Sequence, residues 1–194
     1  MAAPNTRNVA AAKPLVGGGV YRAPIDTVLP TDATTALSAE FEALGYVSEE
    51  GVTPTRDTSV DKVKAWGGDV VAALLTDESR SFEFTLLEVF SEAVQAFVHG
   101  EDNVTATAAA GADGSTLAIT DKGGKPVQQV LVFDMRHGAK RRRVVVPVAD
   151  PVVTGEAAWT DGGLSAYTFT VEALKDTSGV RVYEYLENDD APGA

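Results

Sequence analysis

The chain has 194 residues, a net charge of -12 and no cysteine. Its length suits one domain with a real hydrophobic core, and the missing thiols exclude disulfides, thiolate metal sites and a cysteine nucleophile. The negative charge argues against general nucleic-acid binding, because DNA and RNA repel such a surface unless the basic residues are segregated.

Neither a membrane span nor a signal peptide is predicted. No run of apolar residues approaches the ~18 that a span needs. The N-terminus also lacks the charged flank and apolar centre of a signal peptide. We therefore expect a soluble protein that is made in a cytoplasm.

The domain boundaries follow from composition. Residues 1–15 are small and polar, which predicts a flexible N-terminal arm. A single domain is predicted over residues 16–186, and a flexible acidic tail over residues 187–194. Within the domain, residues 50–64 are polar and lack periodicity, which predicts a long loop of the kind that is usually functional or disordered.

One principal helix is predicted over residues 85–100, TLLEVFSEAVQAFVHG. Thr85 and Glu88 have the spacing of a capping box, and Gly100 suits the left-handed residue that closes a helix. Apolar residues cover most of the circumference, so the helix is expected to lie against a sheet. The residues expected to pack there are Leu86, Phe90, Val94 and Phe97, and the polar stripe expected to face outward is Glu88, Glu92 and Gln95.

The rest of the chain reads as strands and loops. Residues 66–76 and 79–85 are expected to form a strand pair before the helix, and residues 101–115 a loop after it. Further strands are predicted at residues 127–135, 143–148, 152–159, 164–174 and 180–186. The whole pattern predicts a mainly β protein, a β-sandwich or split barrel of two packed sheets with one flanking helix.

A basic tip lies between two of these strands. Residues 136–143 hold five of the 16 basic residues of the chain and no acidic residue. The interleaved aromatic residues of a nucleic-acid surface are missing. A solvated hairpin tip, or a surface that forms salt bridges between subunits, is therefore favoured.

No catalytic or metal-binding constellation is recognisable. His99 with Glu101 and Asp102 falls short of a coordination set. No serine has the G-x-S-x-G context of a nucleophile. We expect no enzymatic activity and no cofactor.

Three sets of phrases resemble a known family: VGGGVYRAPIDTVLPTDAT with LGYVSEEGVT, KAWGGDVV with FEFTLLEV, and VHGEDNVT. They are similar to the major tail proteins, the tail tube subunits, of long non-contractile-tailed bacteriophages that infect actinobacteria. The resemblance is specific from about residue 16 to 105 and looser from there to residue 185. The chain departs from the family in its alanine-rich segment 105–112 and in its three consecutive arginines.

The resemblance implies a structural role and a tail-tube-like sandwich. Six subunits of such proteins form a ring around a channel, and the rings stack into the tube through which DNA reaches the host. The implied partners are further copies of the chain, the tape measure protein, and the tail terminator and tail-tip proteins. DNA would pass without specific binding, no membrane is involved, and the protein would belong to the virion tail after assembly in the host cytoplasm.

Two charged sets are candidates for contacts between subunits. The polar loop 50–64 is expected to become ordered when rings stack. The basic tip, on an otherwise acidic subunit, suits a head-to-tail contact. The candidate residues are Arg56, Asp57, Asp61, Lys62, Lys64, Arg136, Lys140, Arg141, Arg142 and Arg143.

A different class of function stays open. β-Sandwiches often bind sugars through exposed aromatic residues, and Trp66 and Trp159 are possible platforms, although a tryptophan in a strand is more often core or interface. The alternative is a monomeric carbohydrate-binding module of a virion, or a head decoration protein. Rings or hollow tubes under the microscope would favour the tail subunit over both.

Overall fold

The computed structural model describes residues 8–15, 18–123, 125–155 and 159–188. Within these ranges the chain forms eleven strands, one α-helix and the 3-10 helix Glu101–Asn103. The helix α1 is Glu92–His99, and the strands are β1 Lys13–Pro14, β2 Val20–Pro24, β3 Glu42–Ala43, β4 Val47–Lys64, β5 Val70–Leu86, β6 Val104–Thr107, β7 Thr116–Ile119, β8 Gln129–His137, β9 Lys140–Val153, β10 Tyr167–Leu174 and β11 Tyr183–Glu187. The mainly β prediction is confirmed.

Nine strands form one antiparallel sheet with β9 at its centre. The order is β3-β2-β8-β9-β10-β5-β4, with β1 also paired to β8 and β11 also paired to β9. One edge of β9 pairs with β8, while the other edge pairs first with β11 and then with β10. The strands β6 and β7 form a separate hairpin. Because β9 changes partner along its length, the sheet can split into two halves that face each other.

Aromatic contacts show that the two halves close on a common core. The rings of Phe82 and Phe84 on β5 lie 5.0 and 5.9 Å from the ring of Phe133 on β8. Strands β5 and β8 are not hydrogen-bonded neighbours, since β10 and β9 separate them in the sheet order. Their side chains meet only if the sheet folds back over itself. The fold is therefore a β-sandwich, as predicted.

Strand β8 is buried on both faces. Leu131 and Phe133 belong to the core between the two halves. Val130 and Val132 face the other way and belong to a second cluster, which residues of the segment between β2 and β3 help to cover. A strand that is covered on both sides needs no polar face, which explains the continuous apolar run VLVF in β8.

The helix is shorter than predicted and begins at Glu92. Thr85 and Leu86 belong to β5, so they lie in the sheet. The predicted capping box is wrong, because Glu88 instead accepts a hydrogen bond from the backbone N–H of Tyr46 at 2.8 Å. Phe82, Phe84 and Leu86 alternate with polar residues at the period of a strand, and this alternation continues into the start of the predicted helix.

The four residues predicted to pack the helix against the sheet differ in their burial. Val94 and Phe97 are fully buried, and the Phe97 ring lies 4.7 Å from the ring of Phe169 on β10. Leu86 is also fully buried, but as a strand residue. The prediction for Phe90 is wrong: this side chain is 93% exposed, in the turn before the helix.

The outward polar stripe is also partly wrong. Glu92 is exposed as expected, but Gln95 is buried and its side-chain amide donates to the carbonyl of Val89. The late start of the helix changes which residues face inward, and Gln95 turns toward the segment that precedes the helix. The predicted end is confirmed, since Gly100 closes the helix with a φ of 88°.

Substitution of the two phenylalanines should separate the core from the surface. Phe97→Ala is expected to lower the free energy of unfolding by about 3–5 kcal/mol, because a fully buried ring leaves a cavity. Phe90→Ala is expected to change it by less than about 0.5 kcal/mol, because the ring is exposed. Urea unfolding followed by circular dichroism measures both. Equal losses for the two variants would contradict this packing.

Residues 50–64 form a strand instead of the predicted loop. They belong to β4, which pairs with β5 from Val47 opposite Leu86 to Lys64 opposite Val70. The predicted strand pair 66–76 and 79–85 is also wrong, because most of it is the single strand β5. Because residues 50–64 are mostly polar and exposed, their sequence shows no alternation of buried and exposed positions. Their extended conformation follows from the pairing with β5.

Both ends of the chain carry regular structure nearer the termini than predicted. Strand β1 pairs with β8, and the backbone N–H of Ala11 donates to Nδ1 of His137 at 2.8 Å. At the other end, β11 continues to Glu187. Residues 1–7 of the predicted arm and residues 189–194 of the predicted tail lie outside the described residues. The predicted loop 101–115 contains the strand β6.

Candidate assembly surfaces

The hairpin of β4 and β5 projects from the body of the domain. Residues 53–77 are exposed without exception, while the inner parts of both strands join the sandwich. At about 3.3 Å per residue, the projecting part of β4 reaches roughly 40 Å. We call residues 53–77 the arm. Its turn lies at residues 65–69, where Ala65 exchanges hydrogen bonds with Gly68 and Asp69.

The outer part of the arm is apolar on both faces. Cross-strand partners share a face, and Val60 stands opposite Leu75 on one side of the ribbon. Val63 stands opposite Ala72 on the other side, with Leu74 next to it. All five side chains are exposed. The run VVAALL in β5 is therefore apolar, as is the run VLVF in the doubly covered β8, but it has no cover from the described residues of its own chain.

The first set of charged candidates lies along β4 in the arm. Arg56 forms a salt bridge with Glu78 of β5 across the ribbon. The other four, Asp57, Asp61, Lys62 and Lys64, are exposed and form no salt bridge with a described residue. The sequence therefore located an exposed segment correctly, but it missed the apolar side chains of the opposite strand.

In the basic tip, Arg143 is a buried residue. Its guanidinium makes two hydrogen bonds to the carboxylate of Asp134, both of 2.8 Å, and both side chains are almost completely buried. It also donates to the backbone carbonyls of Asp32 and Thr35, at 3.0 and 2.8 Å. The prediction that Arg143 contacts another subunit is wrong, because all of these partners lie within the chain.

The loop that receives Arg143 is held by its own carboxylate. The Asp32 carboxylate accepts hydrogen bonds from the hydroxyl of Thr35 and from the backbone N–H groups of Thr35 and Thr34. These hydrogen bonds hold the pKa of Asp32 well below its usual range. They keep the two carbonyl groups turned toward the guanidinium.

The remaining basic residues of the tip are at least partly exposed. Arg142 forms a salt bridge with Glu184 of β11 at 2.8 Å. Arg136 donates to the carbonyl of Gly138 in the turn, and Lys140 donates to the carbonyl of Val9. Arg141 is half-buried on β9. The tip and the arm belong to different hairpins, so the two predicted sets do not form one site.

The chain was compared with models of known protein families. A family model described as phage tail tube protein matches residues 2–194. The chain belongs to this family. A comparison with curated proteins found no match. The family resemblance predicted from the sequence is thereby confirmed.

Membership of this family gives the protein a structural role in the virion tail. Tail tube proteins assemble with other tail proteins into a tube of many subunits. The exposed apolar side chains of the arm agree with such a role, because large exposed apolar surfaces are typical of interaction sites. The family also favours the prediction that the chain is not an enzyme.

Other functional features were sought in the part of the chain that the structure describes. There, no three histidine, aspartate or glutamate side chains are placed to share a metal ion. Glu101, which the sequence places near His99, is bound to Arg22 at 3.2 Å. No helix among the described residues is long and apolar enough to cross a membrane.

Proposed function

We propose that the protein forms hexameric rings that stack into the phage tail tube, with the arm of each subunit covered by its neighbours. The arm is the observation that carries this proposal. In β8 an apolar run is buried on both faces by the chain itself. The equivalent run in the arm is exposed on both faces, so two covering surfaces have to come from other subunits.

The shape of the surfaces supports rings and stacks of rings. A projecting arm that docks on a different surface of the next copy is a heterologous contact, and such contacts either close into rings or continue as filaments. Strand β4 is also the edge of the nine-stranded sheet. Pairing of this edge with a neighbour would satisfy its open backbone groups, as closure does in a barrel. The number of six subunits rests on the family resemblance.

The charge of the subunit supports passage of DNA through the tube. A net charge of -12 repels DNA, which favours sliding over sticking. The buried pairing of Arg143 and the salt bridge of Arg142 further reduce the basic surface. We infer delivery of DNA to the host without specific binding. The resemblance implies further partners: a tape measure protein inside the tube, and terminator and tip proteins at its ends. It also implies an actinobacterial host and assembly in the host cytoplasm.

Microscopy of the purified protein tests this proposal. We expect negative-stain images to show rings or hollow tubes, and light scattering to give a mass of many subunits. A stable monomer that binds glycans would overturn the proposal in favour of a carbohydrate-binding module. A protein that binds capsids and does not polymerise would instead indicate head decoration.

A further inference from the structure

An uncharged cleft of about 630 Å³ opens beside the start of α1. It lies between the turn before the helix, strand β7 and the segment that leads into β10. Its lining combines apolar side chains with the hydroxyl-bearing side chains of serine, threonine and tyrosine and with Gln95, and it contains no charged side chain. An uncharged lining favours an apolar occupant over an ion or a charged peptide.

Two large aromatic side chains stand open at this cleft. Phe90 is 93% exposed and Trp159 is 86% exposed, and both line it. Exposed aromatic groups that meet around one concavity are typical of an interaction site. The sequence placed Phe90 inside the core, so this feature was not foreseen.

One residue that lines the cleft, Gln95, has a buried side-chain oxygen without a donor. Gln95 is 4% exposed, and its amide nitrogen donates to the carbonyl of Val89. Its side-chain oxygen is buried and accepts no hydrogen bond from any described residue. A buried acceptor without a donor destabilises the folded chain. Because this oxygen has almost no accessible surface, an N–H group of an occupant reaches it when the Gln95 amide rotates toward the cleft.

The tip of the arm carries a side chain that suits the cleft, an exposed tryptophan. Trp66 is fully exposed, and the neighbouring Gly67 and Gly68 have no side chains that would obstruct its approach. An indole has a large apolar surface and a single N–H donor, which usually finds an acceptor when it is buried. Since Trp66 is fully exposed, the tip does not fill the cleft of its own chain.

We propose that the cleft receives the Trp66 tip of a second copy of the chain, with the indole N–H directed to the side-chain oxygen of Gln95. Phe90 and Trp159 then pack around the inserted ring. This inference rests on the proposed function and specifies one of the two surfaces that cover the arm. It makes the contact heterologous, because tip and cleft are different parts of the subunit.

Crosslinking tests this contact, because the chain has no cysteine of its own. Ala65→Cys places a thiol beside Trp66, and Ser115→Cys places one at the rim of the cleft; both positions are exposed. The two proteins are mixed under assembly conditions and treated with a short bis-maleimide. We expect a crosslinked dimer, and a ladder of oligomers from a protein that carries both substitutions. The matched control pairs Ala65→Cys with Leu186→Cys, an exposed position on β11.

Two further variants test the chemistry of the contact. Addition of Trp66→Ser to the Ala65→Cys protein is expected to lower the crosslink yield at least about tenfold, the effect of ~1.4 kcal/mol. Trp66→Phe keeps an aromatic ring and loses only the donor, so a smaller loss is expected.

The outcomes separate this inference from the proposed function. Tubes that form with no more crosslinking than the Leu186→Cys control would overturn the cleft contact and leave tube assembly standing. A protein that stays monomeric and gives no crosslink would overturn both. Quenching of tryptophan fluorescence by chitotriose in the Trp66→Phe variant of such a monomer, where Trp159 is the one remaining tryptophan, would identify the cleft as a glycan site instead.

Discussion

Removal of residues 59–77, with Thr58 joined to Glu78 through an Asn-Gly turn, is expected to give a folded monomer that forms no tubes. Thr58 and Glu78 are cross-strand partners, so a two-residue turn can connect them. Every residue removed is exposed, and the core is left intact. Thermal unfolding should stay cooperative, while light scattering and microscopy should show loss of assembly. Normal tubes from this protein would refute the role of the arm.

A double substitution in an arm of unchanged length tests whether the apolar side chains, and not the length of the arm, are needed for assembly. Val71→Ser with Leu75→Ser keeps every backbone pairing and removes two exposed apolar side chains. We expect tube formation to be lost and the thermal midpoint to stay near that of the unchanged protein. Leu186→Ser removes an equally exposed leucine from β11 and should leave tubes normal.

The design of this deletion depends on the structure. A loop at residues 50–64 would be removable by itself, and that is the experiment the sequence suggests. Because this segment is one strand of a hairpin, its removal would leave β5 without its β4 partner from Phe84 to Val70. Such a protein is expected to be destabilised, and its failure to assemble would say nothing about ring contacts.

The sequence predicted β8, β10 and β11 well, because their pattern is set by local burial. The two strands predicted at residues 143–148 and 152–159 are wrong as separate elements: β9 runs unbroken to Val153, and residues 156–158 lie outside the described residues. Strand β10 alternates Phe169 and Val171 on the core side with more exposed neighbours, and this period of two is visible in the sequence. The arm has no such period. Its apolar run VVAALL suggests a strand covered on both faces, and the sequence alone does not show that the cover has to come from another molecule.

The predicted helix begins too early because its proposed capping box was preferred over the strand pattern. Residues 82–86 read FEFTL, an alternation typical of a strand that includes Thr85 and Leu86, the first two residues of the predicted helix. The chosen capping residues, Thr85 and Glu88, are polar groups that find other partners in the folded chain. The cores of the two elements were predicted correctly, while the boundary between them depended on pairing with β10 and β4.

The buried ion pair of the basic tip was within reach of the sequence. Gly138 and Ala139 form the turn of the β8–β9 hairpin, with His137 opposite Lys140. Counting outward from this turn places Asp134 opposite Arg143, the one acidic partner in the register. A charged pair directly across two strands is a specific signal. The three consecutive arginines concealed it, because only their register distinguishes Arg143 from the other two.

Arg143→Leu is therefore expected to lower the free energy of unfolding by about 3–5 kcal/mol, because it leaves the Asp134 carboxylate buried without its partner. The carbonyls of Asp32 and Thr35 also lose their donor. Arg142→Ser breaks only a partly exposed salt bridge with Glu184 and should cost less than about 1 kcal/mol. Urea unfolding of the three proteins measures the difference.

The double variant Arg143→Leu with Asp134→Leu distinguishes two causes of the lost stability: the missing attraction between the two side chains, and the buried carboxylate that is left unpaired. Replacement of both partners by apolar residues is expected to recover much of the stability, because most of the cost of the single variant is the isolated buried carboxylate. If Arg143→Leu were as stable as Arg142→Ser, the buried pair would be contradicted.

Replacement of all three arginines by serine would combine this folding defect with any loss of subunit contacts. A test of the tip as an interface therefore has to leave Arg143 in place and change Arg141 and Arg142 alone.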